Sequence, residues 1–107
     1  MIFVTVDAFY KYAASAERLT RDEERELAAL MLQGSEQARE RIVNSYLCFI
    51  AARMKKIFPE HQTLELLLIC IKTLEDLVAK FNFLQDNEPF SHRLTLALIN
   101  VTNAYMA

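Results

Sequence analysis

The stretch RLTRDEERELAALMLQGSEQARERIVNSYL, Arg18 to Leu47, decides the fold because both helices within it carry marked ends. Thr20 is a favoured N-cap, and Glu23, three residues on, completes the T-x-x-E capping-box pattern. Asp22, Glu23 and Glu24 put negative charge at the positive end of the helix dipole. Capping and dipole together account for the acidic run from Asp22 to Glu26, which therefore reads as a helix start rather than a carboxylate site. Leu27, Leu30 and Met31 recur at helical spacing and are expected to face the core. Gly34 then ends the helix, since the position after a C-cap favours a left-handed backbone that glycine adopts most easily. Ser35 can cap the next helix at once. The chain has one glycine, and it stands at this corner.

Working outward, an amphipathic helix is expected over about 4–16, with Val6, Phe9, Tyr10 and Ala13 near one side. After the corner a single long helix is expected over 36–58. Its apolar face is Ile42, Val43, Tyr46, Leu47, Phe49, Ile50, Met54 and Ile57, and Pro59 closes it. Another follows Thr63 and runs to about Asn82. Its first half, LELLLICI, is apolar nearly all round, so it is either central or touched from two sides. LQDNEP reads as a polar turn, after which Ser91 caps a last helix over 92–105 that carries Leu94, Leu98, Val101 and Tyr105 on one face. With 107 residues, one Gly and two Pro, the expectation is one all-α domain over 1–107, a bundle of about five helices.

Composition narrows the function classes. Twelve Lys and Arg against fourteen Asp and Glu leave a net charge of −2, poor for binding a polyanion unaided. The apolar run 66–71 is far shorter than the roughly 20 residues of a membrane span. The opening MIFVTV is short for a signal segment and meets Asp7 at once. Cys48 and Cys70 have no paired spacing, and a reduced, cytoplasmic setting is expected. His61 and His92 lack partners at metal-ligand spacing and read as surface or capping residues. Cys48 reads as a small buried hydrophobe. Neither a glycine-rich phosphate loop nor a catalytic grouping stands out, so no enzyme, no metal and no cofactor are expected.

The corner resembles the start of the second conserved region of bacterial RNA polymerase sigma factors. Leu19, Thr20, Glu23, Glu24, Leu27, Ala28, Gly34, Ala38, Arg41, Ile42, Val43, Asn44, Leu47, Ala51 and Lys56 fall on pattern positions. Asp7 and Tyr12 are similar to an Asp and a Tyr in the helix that precedes that corner. LVAKFNF and PFS, 77–83 and 89–91, look like the motifs that follow it. The resemblance spans about 5–100 and implies a helical bundle that docks on the clamp helices of the polymerase's largest subunit.

The sequence also departs from that pattern. Of the family's first polar clamp-gripping group only Glu65 remains. Leu68, Ile69 and Ile71 stand where Gln, Glu and Asn are usual, and Cys70 replaces a small residue. Aliphatic groups there would leave polar partners on the clamp unpaired, at about 1–3 kcal/mol each. In the last helix Leu96 and Ala97 fall near the tryptophans that capture melted bases, and the chain has no Trp. Tyr105 is the only aromatic and Arg93 the only strong cation of SHRLTLALINVTNAYMA, so promoter melting is not expected. No separate helix-turn-helix domain is expected within the 107 residues.

Two main readings follow. In the first, a divergent sigma-like protein docks on RNA polymerase core, or another transcription protein, through Glu65, Leu68, Ile69, Lys72, Glu75 and Asp76. Any single Leu or Ile of that helix reads as core, whereas the strip as a set points to a partner. In the second, the fold serves as a protein-interaction module without DNA: a decoy, an anti-sigma-like regulator or a homodimer. Arg53, Lys55 and Lys56, with Arg93 beyond them, form a further candidate, a weak DNA contact. A solvated basic face is the plainer account of that cluster.

Overall fold

A computed structural model describes residues 3, 5–57, 59–84 and 88–107. The elements are α1 (Val6–Ser15), α2 (Arg21–Leu32), α3 (Glu36–Ser45), α4 (Leu47–Lys56), a 3₁₀ turn (Pro59–His61), α5 (Leu64–Lys80) and α6 (Phe90–Met106). Among the described residues there is no strand. α3 and α4 meet across Tyr46 alone, so they make one bent rod, and counted that way five rods form the bundle. α2 packs along α3, α5 along α6, and α1 against α4.

Four helix starts are built by hydroxyl caps. The Thr5, Thr20, Ser35 and Thr63 oxygens accept the N–H of Ala8, Glu23, Ala38 and Leu66 at 3.0–3.2 Å. At Thr20 the box is reciprocal, since Glu23 Oε1 accepts the Thr20 N–H at 2.9 Å. α6 departs from the expected Ser91 cap. Pro89 occupies the N-cap position without a side-chain bond, and the helix begins at Phe90, inside which Ser91 lies in the first turn. Phe90 is drawn in by Tyr46, Phe81 and Phe83, all within 5.1 Å between ring centroids, and its burial moves the start forward. The expected polar turn at Gln85, Asp86 and Asn87 lies outside the described residues, as does Val4 in the first helix.

The corner forms as its residues dictate. Gly34 has φ +97°, its N–H reaches the Met31 carbonyl at 2.9 Å, and Ser35 N–H reaches Leu30 at 3.1 Å. Those two bonds are a Schellman motif, and they satisfy carbonyls that the ended helix would otherwise orphan.

The continuous helix expected over 36–58 is instead broken at Tyr46. Here φ −103° and ψ 3° fall in the bridge region, and the Tyr46 N–H bonds back to Val43 at 3.1 Å. Ser45 contributes, because its buried hydroxyl donates to the Ile42 carbonyl at 2.7 Å, a back-bond that bends helices. α4 then ends at Lys56, and Phe58 lies outside the described residues.

The bend resets which side chains face inward. Leu47, Ile50, Ala51 and Met54 carry the buried stripe of α4, and Phe49 is left at the edge, packed on the Tyr46 ring. In α2, Ala28 rather than Leu30 joins Leu27 inside, and Leu30 is half exposed. Phe9, Ile42, Leu47, Ile50, Met54, Leu66, Leu67, Leu74 and Leu94 close the centre, each fully buried. At the bundle end, the Thr63 and Tyr105 hydroxyls meet at 3.1 Å and tie the start of α5 to the end of α6.

Candidate partner-binding face

α5 divides its residues by helical spacing. Leu66, Leu67, Cys70, Ile71, Leu74 and Val78 point into the bundle and are buried. Glu65, Leu68, Ile69, Lys72 and Asp76 lie on the opposite side and are exposed. Leu68 and Ile69 retain 38% and 37% of their surface in solvent, although each neighbours a fully buried residue. The near-continuous apolarity of LELLLICI therefore has two causes. One face is core, and the other is an apolar centre bordered by charge.

Ile71 and Cys70 turn inward and cannot touch a partner. Burial pushes the Cys70 thiol up to about 11, so it stays protonated and unreactive at neutral pH. Cys48, read from sequence as buried, is half-buried, with its sulfur 3.8 Å from the Ser45 carbonyl.

Lys72 pairs with Asp76 at 3.2 Å, one helical turn apart, both well solvated. Glu75 is half-buried and turns toward α3. With Lys72 and Asp76 it borders a cleft of about 470 Å³, whose other wall is Arg39, Glu40, Val43 and Asn44 of α3 and Tyr12 of α1. The six positions singled out in the sequence thus share one side of the molecule, with Glu65, Leu68 and Ile69 on open helix and Lys72, Glu75 and Asp76 at the cleft.

The basic residues are placed differently. Arg53 directs Nε and Nη2 at the Thr102 hydroxyl, at 2.9 and 2.7 Å, pinning α4 to α6. Thr102 is fully buried and passes its own proton to the Leu98 carbonyl at 2.8 Å. Lys55 sets its ammonium 5.2 Å from the centre of the Tyr10 ring. Arg93 joins Glu88 at 3.0 Å, and His92 joins the same carboxylate at 2.6 Å. Arg93 foremost, with His92, holds the Glu88 carboxyl below its usual range. Lys56 is exposed beside Arg53. Three of the four candidate phosphate contacts are thus tied within the fold, and the aromatics of α6 are not displayed: Phe90 is buried and Tyr105 is bonded to Thr63.

One polar contact was not visible in the sequence. The Tyr46 phenol donates to the Glu24 carboxylate of α2, joining the two halves of the corner from the side. Burial first, then Glu24, raises the Tyr46 pKa above the ordinary tyrosine value. Glu24 is therefore more than part of a charged helix start. Nothing in the sequence, where Glu24 reads as helix-start charge and as a pattern position, pointed to Tyr46 as its partner.

Among the described residues no three His, Cys, Asp or Glu side chains gather as a metal ion would need, and no helix is long and apolar enough to cross a membrane. No family model matches the chain, and no curated protein matches it.

Proposed function

We propose that this chain is a sigma-like transcription-associated protein that docks through the outer face of α5 and does not melt promoter DNA. One observation carries the reading: Leu68 and Ile69 stand in solvent between Glu65 and the Lys72–Asp76 pair, on a helix with an ample buried face of its own. An apolar centre with a charged border is the usual anatomy of a protein-binding patch. RNA polymerase core is the first partner to test, on the strength of the resemblance of the Thr20–Lys56 corner. The absence of melting rests on the last helix, where no tryptophan is present and Arg93 is paired with Glu88.

The internal engagement of Arg53 and Lys55 favours a second reading, an interaction module that keeps the fold and meets no DNA. One experiment separates the two. Core polymerase is captured on a resin and challenged with the wild-type chain and with Ile69→Glu, at micromolar concentration. The first reading expects retention of the wild type and loss with the variant, which should fold normally because Ile69 is exposed. No wild-type retention removes polymerase docking and leaves the module.

A further inference from the structure

We propose that the outer face of α5 also closes on the same face of a second copy of this chain, as an antiparallel helix pair with its twofold axis between Leu68 and Ile69. A twofold contact must be self-complementary: where residue i meets j, residue j meets i. With the axis between 68 and 69, Leu68 meets the second copy's Ile69 and Ile69 meets its Leu68. One turn outward on either side, Glu65 meets the second copy's Lys72 and Lys72 meets its Glu65. An apolar centre is flanked by two identical opposite-charge pairs.

The charges select this register over its neighbours. Sliding the copies by about one turn one way sets Glu65 against Asp76. Sliding further brings Lys72 onto Lys72, and sliding the other way brings Glu65 onto Glu65. Parallel pairing in register stacks every charge on its like. Like charges brought together across an interface are unfavourable, so only the register centred between 68 and 69 satisfies both the leucine–isoleucine contact and the ion pairs.

The side chains are available for this. Glu65 makes no ion pair among the described residues. Lys72 is 72% exposed and its bond to Asp76 is solvated, so it can bridge Asp76 of its own helix and Glu65 of the other. One helix face is a small interface, below the roughly 1,200 Å² of stable complexes, so the dimer is weak and concentration-dependent. Self-association does not require the docking reading. It covers the same face, and the two states exclude each other.

Sedimentation equilibrium on the full chain, without polymerase, tests the proposal from about 10 µM to 1 mM, a range suited to a small interface. The samples are the wild type, Glu65→Lys, Lys72→Glu and an equimolar mixture of the two variants, with helical circular dichroism to verify folding. The wild type should show a dimer that grows with concentration. Each variant replaces two attractive pairs by two repulsive ones and should raise the dissociation constant roughly tenfold or more. In the mixture each variant supplies the charge the other now lacks, so association should return. A wild type that stays monomeric throughout, variants that associate like the wild type, or a mixture no better than its components would each overturn the proposal.

Discussion

The chain turns at Gly34 and again at Tyr46, with the ten helical residues of α3 between them, and the two turns are made by different physics. At Gly34 everything needed is local: a left-handed glycine, two backbone bonds reaching Met31 and Leu30, and a serine cap for the next helix. No atom stands within 4 Å of where a Cβ would sit on Gly34, so the glycine is required by its backbone angle and not by crowding. At Tyr46 the backbone keeps a negative φ open to any residue; the Ser45 back-bond to Ile42 and the Phe49 ring act locally, and two remote groups, Glu24 on α2 and the Phe90 ring, hold the bend from outside. A local turn can be read from its residues in order. A turn held from outside can be recognised only once the holders are in place.

That contrast can be broken at its stronger end first. Tyr46→Ala removes ring contacts with α4 and α6 as well as the bond to Glu24, and should cost about 2–3 kcal/mol in urea unfolding, below the range for a fully buried aromatic because Tyr46 is only partly covered. Tyr46→Phe keeps the ring and loses the bond, leaving Glu24 without its donor, for about 1–2 kcal/mol.

The Tyr46→Phe variant also sharpens the comparison through pH. The folded Tyr46 pKa is raised, so its contribution is fully present below the unfolded tyrosine value of about 10 and is lost as pH rises beyond it. Wild-type stability should therefore fall more steeply above pH 10 than that of Tyr46→Phe. Parallel alkaline profiles would show that burial and Glu24 do not hold the phenol protonated in the folded chain.

The local turn should yield less. Gly34→Ala forces a left-handed alanine, a strain of about 1–2 kcal/mol partly offset by a stiffer unfolded chain, for a net loss of about 1 kcal/mol. Smallest is Thr20→Ala, which opens the capping box at the far end of α2 and should cost about 0.5–1 kcal/mol. The backbone and side-chain bonds from Thr20 hold the Glu23 carboxyl below its usual range. Its contribution is present above the unfolded carboxyl value of about 4.3 and declines as pH drops through the lower folded value. Thr20→Ala removes the hydroxyl but keeps the backbone N–H that Glu23 accepts, so it should flatten that acid limb only in part. If Gly34→Ala proves costlier than Tyr46→Ala, the ranking of the two turns is reversed.

The same division runs through the candidate face. Helical spacing alone separates Leu67 from Leu68 by about 100°, but nothing in LELLLICI says which of the two is inside. Both inward and outward positions carry aliphatic side chains, so the hydrophobic pattern has no contrast to read. The capped starts at Thr20, Ser35 and Thr63 were legible because a hydroxyl and its target N–H are three residues apart. The start of α6 was not, because Phe90 answers to Tyr46, Phe81 and Phe83 rather than to Ser91. Arg53 looked like part of a basic cluster because Thr102, 49 residues away, was invisible beside it.

By itself, then, the order of residues determined an all-helical chain, the corner at Gly34 and most helix starts, since those rest on contacts within one turn of backbone. Only the tertiary structure decided that the third rod bends at Tyr46, that Arg53 is spent on Thr102, and that Leu68 and Ile69 face water. Each of those outcomes depends on how elements distant in sequence sit against one another, and that is set by packing the whole bundle.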